Sequence, residues 1–177
     1  MKTPTIETER LLLRPLVFED CYEAFERWTS DPDVARYMRY NAHKSVEETK
    51  EWLSTVDEES DTAYDFAICV KAEGNYLCGS CGVYFSKRSN VWNVGYNLAK
   101  DHWRQGYGTE VMTALVNFLK NDLKVTAIEG MFANENVVSG HVMKKCGFET
   151  VGQIEDYKFD GVTKHDCELL RINVKGE

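Results

Sequence analysis

From Tyr107 onward, Val111, Met112, Leu115, Val116 and Leu119 recur at steps of three and four, the spacing of one face of an α-helix. Elsewhere the period is two. Tyr64, Phe66, Ile68 and Val70 alternate with their neighbours, as do Trp92, Val94, Tyr96 and Leu98, and "YLCGSCGVYF" follows the turn "EGN" between them. These stretches predict three strands. "IETERLLLRPL" predicts a strand near the start, followed by a helix carrying Cys21, Ala24, Phe25 and Trp28 that the proline of "SDPDV" ends. Ser45 and Glu48 predict a capping box opening a second helix, with Val46, Leu53 and Val56 on its inner face. "VTAIEGMFAN" reads as a further strand. Val138, Val142, Met143 and Cys146 then mark a shorter helix stopped by Gly147. Asp160-Gly161 predicts a two-residue hairpin turn between the last two strands.

Together these readings give an α+β layout, with a mixed, mostly antiparallel sheet of seven strands flanked by about four helices. No repeat, low-complexity tract or proline-rich linker divides residues 1–177, so one domain is expected. A chain of this length buries about 70% of the surface its unfolded form exposes, and four Trp, nine Tyr and eight Phe supply a core. No apolar run approaches the roughly 20 residues of a membrane span, and "MKTPTIETERLLLRP" lacks the marks of a signal peptide. The expected place is the cytoplasm, with no membrane partner, and there the six cysteines are expected to be reduced, mostly as small core residues. The net charge of −8 speaks against nucleic acid and favours a cationic or amine-bearing partner.

One stretch resists a purely structural reading. In "NLAKDHWRQGYGTEVM" two glycines stand at the start of the strongest helix, although each costs roughly 1 kcal/mol in a helix interior. Without side chains at Gly106 and Gly108, the amides of Arg104, Gln105, Gly106, Tyr107, Gly108 and Thr109 can close around the oxygens of a pyrophosphate at the helix N-terminus. The loop is neither a dinucleotide fingerprint, which needs a third glycine where Val111 stands, nor a Walker loop, which needs Gly-Lys-Ser/Thr. "CGSC" at 78–81 has no second cysteine pair at zinc spacing, and strand alternation sets Cys78 and Cys81 on opposite faces. His43, His102, His141 and His165 share no metal spacing, so each is read as a surface or partly packed histidine and no metal is expected.

The opening "TERLLLRPLVFED", the loop "WRQGYG" with the following Thr109 and Glu110, the segment "NVVSGHVMKKCGF" and the final Asp-Gly hairpin together resemble the GNAT superfamily of acyl-CoA-dependent N-acetyltransferases, in its RimJ/RimL-type branch. The resemblance covers essentially the whole chain. It implies the GNAT (acyl-CoA N-acyltransferase) fold, acetyl-CoA as donor substrate, and direct attack by a primary amine without a metal. The superfamily's Gln/Arg-x-x-Gly-x-Gly/Ala motif falls on Trp103 to Gly108, with Trp103 departing at the first position. By the same resemblance the pantetheine arm lies along Tyr96 to Leu98, where two strands part, and Asn136 hydrogen-bonds it. Trp28 and Tyr37 border the acceptor.

Catalytic groups are less plain. A tyrosine that protonates the leaving thiolate in many relatives is replaced by Met143, which leaves Ser139, one turn earlier, as the candidate acid. A glutamate common in this branch is replaced by Asn93, so Glu155 and Asp156 are the candidate bases, beside a water relay. The acidic stretches "DEESD" and "EDYKFD" are candidates for attracting a cationic amine. The acceptor is left open between a protein N-terminus, a polyamine, an aminoglycoside and another small amine, and the protein between monomer and homodimer. The alternative is an acyl-CoA-binding module that has lost catalysis, as Asn93 and Met143 suggest.

Overall fold

The computed structural model describes residues 1–174. Eight strands, β1 (Ile6–Glu7), β2 (Leu11–Pro15), β3 (Ala63–Val70), β4 (Tyr76–Ser86), β5 (Val91–Leu98), β6 (Ala127–Ala133), β7 (Glu149–Tyr157) and β8 (Lys164–Asn173), form one sheet. Their order is β1-β2-β3-β4-β5-β6-β8-β7. The count exceeds the expected seven because the first segment folds back on itself. Ile6 pairs with Leu13, and Thr8 closes the turn by accepting the Leu11 amide at 3.0 Å on its hydroxyl, a side-chain substitute for a backbone turn.

Five α-helices flank the sheet: α1 (Cys21–Ala24), α2 (Pro32–Ala35), α3 (Val46–Ser54), α4 (Tyr107–Asn121) and α5 (Val137–Lys145). The extra helix is α2. Pro32 does not merely end the preceding helix, which runs from α1 into a π-turn over Phe25–Thr29; it sits in the first turn of a new one, capped by Asp31 accepting the Asp33 amide at 2.9 Å. Proline suits that position because its missing N–H has no helical partner there. The capping box at α3 does not form: the Ser45 hydroxyl makes no cap bond, and the Glu48 carboxylate accepts the amide of Lys44, one residue before the N-cap.

The sheet is packed on both faces. Val111, Leu115 and Leu119 of α4 and Met143 of α5 join Leu11, Leu13, Phe66, Ile68 and Val94 in one core. On the other face Ala24, Trp28 and Leu53 of the α1–α3 layer pack on Ala67, Cys69 and Leu77. Each fully buried leucine contributes about 1.5–3 kcal/mol. Within α5 the apolar stripe is narrower than its spacing implies, since Val138 is exposed.

Two local expectations fail for identifiable reasons. Cys78 and Cys81 enter the same core cluster instead of opposite faces, because the β3–β4 register slips at Ile68/Cys69 and leaves Cys78 as the extra residue of a bulge. Both thiols are buried and free, and burial pushes that of Cys78 up to about 12. Asp160-Gly161 is not a two-residue turn, since Tyr157 pairs with Lys164 and residues 158–163 form the connection. Asp160 organises that longer loop by accepting the amides of Val162 and Thr163, both at 2.8 Å.

The parting that positions the candidate site lies near the middle of the sheet. β5 pairs with β4 from Val91 to Leu98, but with β6 only at Trp92 and Asn93. The two parallel strands then part, so from Val94 to Leu98 one edge of β5 has no strand beside it among the described residues. Backbone groups on such an edge require another partner.

Candidate functional site

The loop at 103–106 leaves the diverging end of β5 and enters α4. Arg104 and Gly106 both take positive φ, at 61° and 80°, a conformation uncommon for a residue with a side chain. The loop is pinned from two sides. Trp103 Nε1 donates to the Leu98 carbonyl at 2.8 Å, and Arg10, in the β1–β2 turn, donates to the Gln105 carbonyl at 2.8 Å while its guanidinium lies 4.4 Å from the Tyr107 ring centre.

Among the described residues no side chain caps α4 at Gly106, so its first-turn amides can receive a ligand, and the helix dipole favours an anion there. A Cβ added at Gly108 would lie 2.8 Å from the Tyr96 hydroxyl. Thr109 supplies its carbonyl to the Thr113 hydroxyl at 2.8 Å, inside the helix. The arrangement fits a pyrophosphate on backbone amides, with Arg104 and Gln105 exposed beside it.

Tyr96 links this loop to α5. Burial raises its phenol's pKa, and a hydrogen-bonding contact with Ser139 offsets part of that rise. Asn136, at the N-cap of α5, makes no side-chain cap bond, so the capping role is unfilled and its amide is available. Asn97, between Tyr96 and the buried Leu98, donates from Nδ2 to the Ser80 hydroxyl at 3.2 Å, while its Oδ1 is buried with no hydrogen-bond partner among the described residues. An orphaned buried acceptor is costly unless a ligand donor meets it. The strand, the loop and the α5 segment singled out by sequence thus meet at the parting of β5 and β6.

The other anticipated residues lie apart from this cluster. Glu155 is exposed and pairs with Lys164 at 3.1 Å. Asp156, on the other face of β7, pairs with Arg39 at 3.0 Å, and neither touches Ser139 or Tyr96 among the described contacts. Met143 is a core residue whose methyl fills the space a side chain at Gly130 would need. Asn93 is buried and turns its amide to the Val91 carbonyl at 3.4 Å. Trp28 is fully buried, whereas Tyr37 is partly exposed and meets His165 edge-on.

"DEESD" is tied to the N-terminus through Met1 and Lys2. His102, read as a surface or partly packed histidine, is packed further than that: it is buried, held between Asp101 at 2.7 Å and Glu73 at 3.1 Å and stacked on Tyr76. Arg10 and Glu110 escaped the sequence reading as site residues. Their signal was opposite charge in two of the quoted segments, which nothing local joins.

Among the described residues no cluster of three His, Cys, Asp or Glu side chains could hold a metal ion. No helix among them is long and apolar enough to cross a membrane.

Comparison with known proteins agrees with this geometry. The Acetyltransferase (GNAT) domain family matches residues 10–149. An uncharacterized N-acetyltransferase, p20 of Bacillus licheniformis, is 29% identical over 157 residues, 87% of each chain. Among solved structures, a GNAT-family acetyltransferase from Bacillus anthracis superposes with a TM-score of 0.83 at 24% identity, over 96% of this chain and 98% of that one. A spermidine N-acetyltransferase from Vibrio cholerae, in complex with CoA and spermine, gives 0.78 at 17% identity over 94% and 96%. These two show likeness of fold. With the family match covering most of its length, the chain belongs to the GNAT acetyltransferases, enzymes that take the acetyl group from acetyl-CoA.

Proposed function

We propose that this acetyltransferase moves acetyl from acetyl-CoA to a primary amine by direct attack, with residues 1–177 acting as one domain. The observation that carries the reading is the unpaired edge of β5 from Val94 to Leu98, opening beside an uncapped, glycine-started helix. In it the amides of residues 104–109 hold the pyrophosphate, and the strand edge from Tyr96 to Leu98, with Asn136, holds the pantetheine arm.

Acetyl-CoA supplies an activated thioester carbonyl. The neutral amine forms the new C–N bond, the C–S bond breaks, the amine gives up a proton and the departing thiolate gains one. Backbone N–H groups on the free edge of β5 are suited to the developing oxyanion. Ser139, beside the Tyr96 hydroxyl, is assigned the proton for the thiolate, a contribution on the order of 10²–10⁴-fold. Proton removal from the amine is assigned to a carboxylate acting directly or through water. Glu155 and Asp156 are engaged by Lys164 and Arg39, which restrains both.

The excess of 29 acidic over 21 basic residues supports a cationic amine, and the fold shared with the Vibrio cholerae spermidine enzyme adds support for a polyamine. A protein N-terminus and an aminoglycoside are further members of the acceptor class. The six unpaired cysteines suit the cytoplasm, where we place the reaction, carried out by a monomer or homodimer.

A second reading, an acyl-CoA-binding module without turnover, draws on Asn93 and Met143, neither of which can transfer a proton. Thiol release from acetyl-CoA against a panel of amines and peptides separates the two. Amine-dependent release supports the enzyme, and tight binding without release supports the module.

A further inference from the structure

The strand registers place Asp65 opposite Gly82, and Gly82 opposite Gly95. One row thus crosses β3, β4 and β5. The flanking residues Tyr64, Phe66, Cys81, Val83 and Val94 all enter the core under α4. By strand alternation the row projects from the opposite face, beyond the Ala67 and Cys69 positions that the α1–α3 layer covers. On one side runs the row Ala67, Ser80, Asn97, and on the other Ala63, Tyr84, Asn93.

Two of the three residues in the middle row have no side chain, so the face carries a trench. Gly95 is exposed, and a Cβ there would meet nothing within 4 Å. The Asp65 carboxylate stands at the β3 end of this trench. Its Oδ1 lies 3.1 Å from the position a Cβ of Gly82 would take, a point also 2.9 Å from the Tyr64 carbonyl oxygen and 3.6 Å from Asp65 Cα, so the carboxylate stands beside the glycine on the β3 side. With strands about 4.8 Å apart, the Asp65 and Gly95 backbones are about 10 Å from one another, a gap wide enough for an amine or a bridging water. The row ends at Gly95, on the strand edge that β6 leaves open.

Asp65 also differs from the other interior carboxylates. Asp20, Glu110 and Asp156 are each engaged by an arginine. The Asp65 carboxyl has no hydrogen bond or ion pair among the described residues, and burial alone pushes its pKa up. An unpartnered, partly buried carboxyl costs stability, and such groups concentrate at functional sites. The neighbouring rows add an acceptor, the orphaned Asn97 Oδ1, and a donor, the Tyr84 hydroxyl, 3.5 Å from Arg39 Nη1.

Resting on the acetyl-transfer reading, we propose that Asp65 is the carboxylate that receives the acceptor amine in the Gly82–Gly95 trench and takes its proton as the C–N bond forms. The proton passes from nitrogen to an Asp65 oxygen, directly or through one water, and from there to solvent. The trench orients the amine toward the open edge of β5.

The test measures acetyl-CoA affinity by calorimetry and amine-dependent thiol release for the parent, Asp65→Asn and Gly95→Val. Asp65→Asn is expected to lower kcat/KM for the amine about 100-fold or more, the scale of a lost general base, with acetyl-CoA affinity unchanged. Gly95→Val adds its side chain in open space, should melt like the parent, and is expected to raise the amine KM at least about tenfold by filling the trench. Parent-like amine kinetics in Asp65→Asn, or a parallel loss of acetyl-CoA affinity, would overturn the assignment alone. If Asp65→Asn does not fold, parent-like amine kinetics in Gly95→Val overturns it. Absence of turnover by the parent with every amine would overturn the acetyl-transfer reading and the proposal with it.

Discussion

Arg10 and Glu110 are joined twice across 100 residues of chain: Arg10 Nε donates to Oε1 at 2.8 Å and the Arg10 amide donates to Oε2 at 2.9 Å. The pair fastens the β1–β2 turn to the first turn of α4, and the same guanidinium reaches the Gln105 carbonyl. Burial pushes the Glu110 carboxyl up, but the Thr8 hydroxyl, the Arg10 amide and the Arg10 guanidinium outweigh it and hold the pKa below the usual value. A carboxyl depressed on folding contributes stability above its unfolded pKa of about 4.3 and loses it as pH falls through the folded value. Glu110→Gln is therefore expected to lower stability by about 1.5–3 kcal/mol at pH 7. The gap between parent and variant melting temperatures should close as pH drops below about 4.3. Melting curves at stepped pH check this, and a gap independent of pH contradicts it.

Gly108→Val introduces a side chain in the first turn of α4 whose Cβ falls 2.8 Å from the Tyr96 hydroxyl. Acetyl-CoA affinity is expected to fall at least about tenfold, about 1.4 kcal/mol. Gly106→Val carries an added backbone penalty, because φ is +80° there. Isothermal titration of each folded variant provides the measurement, and parent-like affinity in Gly108→Val removes the loop from the binding site.

Asn136→Ala separates ligand binding from helix capping. Because the side chain makes no cap bond, the helix should lose less than the roughly 1 kcal/mol of a true N-cap deletion. Acetyl-CoA affinity should fall by about 0.5–1.5 kcal/mol, one hydrogen bond. Titration and thermal melting on the same preparation resolve the two, and a stability loss with unchanged affinity reverses the assignment.

What the sequence disclosed and what it hid follow from the range of the interactions. The α4 stripe was legible because helix periodicity is local, and Val111, Met112, Leu115, Val116 and Leu119 are all buried. Gly106 and Gly108 were legible because two glycines within three residues stand out locally beside a strongly periodic helix. The β1–β2 reversal depends on a side-chain turn at Thr8, and the Cys78 bulge on pairing with β3; neither is set by its own segment. Asp65 was not singled out in the sequence, because its meaning comes from two cross-strand registers. The Arg10–Glu110 clamp is hidden for the same reason.

Ser139→Ala addresses the proton given to the thiolate. Turnover is expected to drop at least about tenfold with acetyl-CoA affinity nearly unchanged, since the hydroxyl acts mainly in the transition state. Tyr96→Phe, which removes the phenol in contact with Ser139, should give a smaller drop in kcat. Both constants are read at a pH where the amine is largely neutral. Reduced affinity with preserved saturated turnover would instead make Ser139 a binding residue.

The most direct measurement follows free thiol and N-acetylated amine together, from acetyl-CoA and a panel of polyamines, aminoglycosides and peptides with free N-termini. At least one amine is expected to be acetylated, with thiol and acetylated amine appearing in equal amounts and negligible thiol release without amine. Saturable binding of acetyl-CoA with no acetylated product from any amine would contradict the acetyl-transfer reading and leave a binding module.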